Sequence, residues 1–129
     1  MDLGTKYPWL VGPSLWLGER PYNHYNDIPE GWRIAFGERW CKDIQAEYEK
    51  MSKEEQEDFF VVQLKEKFGS FRQYFSTGND AIFEITRKYE ELSERTCIHC
   101  GAPATRISRD WISPWCDEHA PEGSLPIEE

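Results

Sequence analysis

Three cysteines and one histidine near the C-terminus form the pattern that most constrains how this chain folds. Cys97 and Cys100 are separated by two residues, and Cys116 and His119 repeat that spacing after fifteen intervening residues. Zn²⁺ takes four sulfur and nitrogen ligands in a tetrahedron, and a C-x2-C pair offers both thiolates from one tight turn. Gly101 has no side chain to obstruct that turn. The pattern therefore predicts a structural Zn²⁺ bound by Cys97, Cys100, Cys116 and His119.

The residues between and around the two ligand pairs predict a small finger over 97–120. The segment "TRISRDWIS" is typical of two short strands that turn near Arg109 and Asp110. If Cys116 begins a helical turn, His119 lies on the same face as the cysteine. A turn, a hairpin and a second ligand pair are typical of a treble-clef or zinc-ribbon finger. His99 lies inside the first pair and is an alternative ligand, but the C-x2-H spacing favours His119.

Two amphipathic helices and one hairpin are predicted upstream, over residues 29–96. Apolar residues recur every three or four positions from Phe36 to Met51, which predicts a helix over about 30–51. Val61 to Phe75 has the strand pattern of a β-hairpin with its turn at 67–70. A second helix begins near Asn79 or Asp80 and ends by residue 96. The predicted fold class is α+β, with two main helices packed with the hairpin.

The two ends of the chain have compositions unlike the middle. Residues 1–28 are rich in proline, glycine and asparagine, which predicts an irregular arm without long regular elements. This arm carries apolar side chains expected to pack on the body: Tyr7, Trp9, Leu10, Leu15, Trp16 and Leu17. His24 lies in the arm, and a surface or hydrogen-bonded role is expected for it. Residues 121–129 form an acidic tail.

Composition excludes several classes of protein. No run of about 18 apolar residues occurs, and no signal peptide pattern precedes Trp16, so a cytoplasmic location is expected. In a reducing compartment the four cysteines favour metal binding over disulfides, and Cys41 is expected to be a small buried apolar residue. The formal net charge of -9 disfavours non-specific phosphate binding. This acidic net charge has three alternative interpretations: ordinary solubility, a basic partner, or mimicry of nucleic-acid charge.

The sequence carries no recognised catalytic constellation. The zinc-protease, nucleophile-elbow and phosphate-loop motifs are absent, as is the H-x-E of base deaminases. Four protein ligands would also close the zinc shell, whereas a catalytic site keeps one position open for water. We therefore expect a protein that is not an enzyme.

Several segments resemble a group of small uncharacterised zinc-finger proteins from bacteria and their phages. The matching segments are Gly31-Trp32, "VVQLKEKFGSFRQYFS" at 61–76, "CIHCGAPA" and "WISPWCDEH", over roughly residues 28–120. The most specific is the KEKFG hairpin, residues 65–69, with Arg72. The resemblance implies a phage or mobile-element context and a structural zinc, and it assigns no reaction.

Two functions fit these observations. The first is a zinc-stabilised protein-interaction module, which in a phage context would include an inhibitor of a host enzyme or defence complex. The second is a nucleic-acid-binding finger that uses basic residues of the hairpin and finger beside aromatic side chains. The residues expected to contact a partner are Lys65, Lys67, Phe68, Arg72 and Trp111.

Overall fold

The computed structural model describes residues 6–14 and 18–127 and has an α+β architecture, as predicted. Its elements in chain order are β1 (Val11–Ser14), β2 (Gly18–Asn23), α1 (Glu30–Trp32), a π-helical segment (Arg33–Gly37), α2 (Glu38–Glu49), α3 (Lys53–Asp58), β3 (Val61–Lys67), β4 (Ser70–Phe75), α4 (Asp80–Ser93), β5 (Arg106–Ile107), β6 (Pro114–Trp115) and β7 (Leu125–Pro126). Short 3-10 turns at Pro8–Leu10 and His24–Asp27 flank the first hairpin.

The helical elements follow the sequence signals closely. Backbone from α1 to α2 is continuously helical over residues 30–49, and only the π-helical segment was not predicted. Ser52 and Glu55 form a capping box at the start of α3. The Asn79 side chain accepts a hydrogen bond from the amide of Ile82 and begins α4.

The β3–β4 hairpin lies where the sequence predicts it. The two antiparallel strands are joined by Phe68 and Gly69, with φ of 53° and 82°. Positive φ at both central residues defines a type I′ turn, whose twist matches that of the flanking strands. Such turns favour asparagine and glycine, so a phenylalanine at the first position is unusual.

The prediction that the N-terminal arm is irregular was wrong, because β1 and β2 form an antiparallel hairpin. Their register shifts between Gly12 and Ser14, at a proline that has no N–H to donate. Such short paired strands need no hydrophobic alternation, so no periodic signal marks them in the sequence. Tyr7, Trp9 and Leu10 are buried as expected. Leu15, Trp16 and Leu17 lie outside the described residues.

An aromatic core fills the space between the helices and the β3–β4 hairpin. The ring of Trp40 lies 5.5 Å from those of Trp9 and Phe71, in both cases edge to face. Phe59 and Phe75 stack at 5.0 Å. Trp9 therefore joins the N-terminal segment to the same core as the helices.

A three-stranded sheet in the order β6-β5-β7 forms the C-terminal part. β5 and β6 are the two short strands predicted around Arg109 and Asp110. β7 was not predicted. It lies in the segment expected to be an acidic tail, and it pairs with β5. The Arg106 side chain fixes this segment by donating to Ser124 Oγ at 2.8 Å and to its carbonyl oxygen at 2.7 Å. Within the described residues, no helix is long and apolar enough to cross a membrane.

Candidate metal centre

The four predicted ligands converge on one point. One donor atom from each of Cys97, Cys100, Cys116 and His119 lies within 4.8 Å of all the others. The sulfur atoms of Cys100 and Cys116 are 3.7 Å apart, and Cys116 Sγ lies 3.2 Å from His119 Nδ1. Two sulfurs on a tetrahedral Zn²⁺ with bonds of about 2.3 Å are separated by about 3.8 Å. These residues could therefore hold a metal ion, with Nδ1 as the histidine ligand.

Backbone hydrogen bonds fold the segment of the first cysteine pair into a tight turn, here called the knuckle (residues 97–102). The Gly101 amide donates to the Cys97 carbonyl at 3.0 Å, and the Cys97 amide donates to the Ala102 carbonyl at 2.8 Å. Gly101 has φ of 85°, a left-handed conformation that glycine adopts without steric cost. The missing side chain at Gly101 therefore lets the turn close, as predicted.

The second ligand pair lies on a single turn after β6. The amides of His119 and Ala120 both donate to the Cys116 carbonyl, at 3.3 Å and 3.0 Å. This turn places the imidazole on the side of the cysteine sulfur. The side chain of Thr105 donates to the Asp117 carboxylate at 2.6 Å and ties the same turn to the segment before β5.

The thiols have opposed pKa shifts. Burial raises the pKa of Cys97, but hydrogen bonds from the backbone of Cys100, Cys116 and His99 outweigh it, so this pKa is lowered. A hydrogen bond from the Ala102 backbone lowers the pKa of Cys100, but desolvation and the neighbouring Cys116 and Cys97 sulfurs outweigh it and raise the pKa. The raised pKa of Cys100 therefore reflects the closeness of its sulfur to those of Cys97 and Cys116.

The knuckle is packed directly onto the first turn of the helical body. The Gly31 amide donates to the Ile98 carbonyl at 2.9 Å, and Trp32 Nε1 donates to the Thr96 carbonyl at 3.1 Å. A Cβ added at Gly31 would lie 2.2 Å from the Cys97 carbonyl oxygen, and one added at Gly101 would lie 2.7 Å from the Gly31 carbonyl oxygen. The Gly31-Trp32 pair therefore lies directly against the knuckle.

The remaining cysteine and the other two histidines are not part of the four-donor cluster. Cys41 is fully buried in the core, and burial raises the pKa of its thiol to about 12. His24 is buried 3.8 Å from the Asp27 carboxylate. His99 is exposed, with its ring 4.3 Å from that of His119. The cluster of four donors contains His119 and not His99, in agreement with the expectation from spacing.

Three of the five residues expected to contact a partner line one groove. Lys67, Phe68 and Trp111 lie around a cavity of about 250 Å³ between the tip of β3–β4 and the loop that joins β5 to β6. We call this cavity the aromatic groove; its lining residues are Glu66, Lys67, Phe68, Asp110, Trp111 and Ile112. Phe68 is 67% exposed and Trp111 is 76% exposed.

The other two residues lie elsewhere on the hairpin. Lys65 and Arg72 are opposite each other in the strand register, so they share one face of the ladder. The Lys65 ammonium lies 5.7 Å from the centre of the Tyr74 ring, and Arg72 Nε is 3.6 Å from the Glu90 carboxylate. The five residues therefore do not form a single surface.

Sequence reasoning missed the acidic members of the groove. Trp111 Nε1 donates to the Glu66 carboxylate at 3.2 Å, and Asp110 and Ile112 flank the indole in the chain. Glu66 is half-buried opposite Phe71 in the strand register, and its contact with Trp111 spans 45 positions. No local signal in the sequence could have identified this pairing.

No protein-family model, curated protein or solved structure matches the chain.

Proposed function

We propose that this protein is a zinc-stabilised protein-interaction module. The observation that carries the proposal is the convergence of Cys97, Cys100, Cys116 and His119 within 4.8 Å. Three thiolates and one imidazole form a donor set that zinc favours. Zn²⁺ would supply folding free energy by crosslinking the two ligand pairs.

The type of finger we propose is a zinc ribbon rather than a treble clef. In a treble clef the second ligand pair begins a helix. Here the turn at Cys116 leads on to β7, and among the described residues no helix follows His119. Two ligand-bearing turns flanking a small antiparallel sheet support the ribbon description.

The proposed role of the metal is structural. Four protein ligands leave no coordination position for a reacting water, so we expect no catalytic activity at this centre. The ion would instead hold the β5–β6 loop against the hairpin tip, because the knuckle is bonded to Gly31 and the Ile98 amide donates to the Pro114 carbonyl at 2.9 Å. Lys67 and Phe68 from the body could then face Trp111 from the finger in one groove.

The resemblance to bacterial and phage proteins adds a biological expectation to this proposal. A phage or mobile-element protein that binds a host protein is suited to inhibiting a host enzyme or defence complex. This part of the proposal rests on the KEKFG hairpin and the Cys-rich segment alone.

Nucleic-acid binding is the alternative function. One observation favours it: the Lys67 ammonium lies 5.8 Å from the centre of the Phe68 ring, so a cation and a stacking surface occur together. The formal net charge of -9 opposes it. A titration with salt separates the functions, since phosphate contacts weaken steeply as salt rises.

The zinc content of purified protein and variants tests the metal-binding part of the proposal. We expect about one zinc per chain after dialysis of the wild-type protein and almost none in Cys97→Ser or Cys116→Ser. Cys41→Ala is the matched control, since it removes a buried thiol outside the cluster and should keep the metal. A wild-type protein that is folded and free of zinc after expression with ample zinc would overturn the proposal.

A further inference from the structure

The aromatic groove has the features of a docking site for one side chain. Phe68 and Trp111 are exposed, although large aromatic side chains usually contribute to stability by being buried. Its volume of about 250 Å³ is below the 300–1,000 Å³ typical of small-molecule sites. The groove therefore suits an inserted side chain better than a metabolite.

The backbone at Phe68 indicates that this aromatic residue is not placed for folding. Its φ of 53° is a left-handed conformation that costs a residue with a Cβ free energy. The side chain recovers none of that cost in the core, since it is 67% exposed. Strained positions that persist on a surface are typical of sites that contact a partner.

The charges around the groove favour a cationic occupant. Two carboxylates, Glu66 and Asp110, line it against the single ammonium of Lys67. Over residues 6–14 and 18–127, no salt bridge involves any of these three side chains. The Asp110 carboxylate and the second oxygen of the Glu66 carboxylate, whose Oε1 accepts from Trp111, can therefore pair with a partner's lysine or arginine, and the acidic net charge would draw a basic segment toward the surface.

We infer that the aromatic groove binds a basic segment of a partner protein. One aromatic or aliphatic side chain of that segment inserts between Phe68 and Trp111, and an adjacent lysine or arginine pairs with Glu66 or Asp110. This inference rests on the proposed function, because the two halves of the groove come from the body and the finger. A nucleic acid fits less well, since its phosphates would approach two carboxylates.

A peptide library identifies the preferred occupant directly. Biotinylated, zinc-loaded protein is used to select from a phage-displayed library of random 12-residue peptides. We expect enrichment of sequences with a tryptophan, phenylalanine or leucine next to lysine or arginine. Selected peptides are then synthesised with a fluorescent label, and their affinity is measured by fluorescence anisotropy. Two controls are measured in the same way: peptides in which every lysine and arginine is replaced by glutamate, and labelled oligo-dT.

Variants connect binding to the groove. Trp111→Ala and Phe68→Asn should each weaken the selected basic peptides at least about tenfold, as residues at the centre of an interface do. Asp110→Asn should weaken them about threefold and reduce the dependence on salt. Phe83→Ala is the matched control: Phe83 is an aromatic residue on α4, 55% exposed and not part of the groove lining, and its removal should leave affinity unchanged.

The outcomes separate this inference from the proposed function. Enrichment of acidic or uncharged peptides, tighter binding to oligo-dT than to any peptide, or no enrichment at all would overturn the inference while leaving the zinc centre intact. Peptides whose affinity is unchanged by Trp111→Ala and Phe68→Asn would also overturn it. Absence of zinc in the wild-type protein would instead overturn the proposed function.

Discussion

Single residues at the contact between the knuckle and α1 have no room for additional atoms. Gly31 is buried, and its amide and its missing side chain are both used by the knuckle, through Ile98 and Cys97 respectively. Phe68 is the opposite case, because its side chain has space but its backbone is strained. Substitutions at these two residues are therefore expected to change the free energy of unfolding in opposite directions.

Gly31→Ala should destabilise the protein strongly. The new methyl group would lie 2.2 Å from the Cys97 carbonyl oxygen, so the knuckle must move away from α1. Overpacking of this kind costs about 1–3 kcal/mol, which chemical denaturation can measure. Gly78→Ala is the control, since its methyl group would meet only side-chain atoms of Phe83 and Ile82 at 3.3 Å or more. Equal stability of both variants would contradict the close approach of knuckle and helix.

Phe68→Asn should stabilise the protein. Asparagine followed by glycine is the preferred pair for a type I′ turn, and asparagine adopts positive φ more readily than phenylalanine does. We expect the free energy of unfolding to rise by about 0.5–1 kcal/mol in urea denaturation. A fall in stability would mean that the exposed ring contributes to the fold, and the case for a binding role at this residue would be lost.

At the scale of elements, side-chain hydrogen bonds hold the helices and the hairpin together around the aromatic core. Tyr89 on α4 donates to the Asp43 carboxylate on α2 at 2.5 Å. Burial, followed by this hydrogen bond and the nearby negative charge, raises the pKa of Tyr89. Trp40 Nε1 donates to the Gln73 side chain of β4 at 2.7 Å. Each bond joins elements that are far apart in sequence.

Tyr89→Phe should weaken the contact between α2 and α4. The variant keeps the buried ring but removes a hydrogen bond to a charged acceptor, which is worth about 1.5–3 kcal/mol. Asp43 is 40% exposed and can regain water, so we expect a loss near the lower limit in thermal or urea denaturation. Tyr74→Phe removes the hydroxyl of an exposed tyrosine and serves as the control. An unchanged Tyr89→Phe variant would contradict the bond.

Elements whose signals are local could be predicted from the sequence, and those that depend on distant partners could not. The Asn79 cap and the apolar period of α2 and α4 are local to each helix, so these two helices were predicted to within a few residues. β1, β2 and β7 are short and form only against their partners. The cluster of four donor residues was predictable because metal ligation depends on residue type and spacing. The contact of Glu66 with Trp111 has no such pattern.

At the scale of the whole molecule, the finger and the body share backbone hydrogen bonds. The Gly31 amide of the body donates to the Ile98 carbonyl at 2.9 Å, and the Ala104 amide of the finger donates to the Arg95 carbonyl at 2.8 Å. Gly69 in the hairpin turn also faces the β6 segment, since an added Cβ would lie 3.4 Å from the Ile112 carbonyl oxygen. The two parts on either side of the division predicted at residue 96 are therefore packed against each other.

Removal of the metal should therefore destabilise the body as well as the finger. A chelator is expected to lower the free energy of unfolding by several kcal/mol and to lower Tm by on the order of 10 °C. The helices α2 and α4 both lie in the body, so circular dichroism at the helical band reports on the body, and its transition should shift with that of the whole chain. A body transition that stays at its original temperature would show that the finger folds as an independent unit.

Zinc X-ray absorption spectroscopy tests the central claim most directly, because it reports the ligands around the metal in the intact protein. We predict three sulfur atoms at about 2.3 Å and one nitrogen at about 2.0–2.1 Å, from Cys97, Cys100, Cys116 and His119. A shell with oxygen ligands, with fewer than three sulfurs, or with no zinc to measure would contradict it.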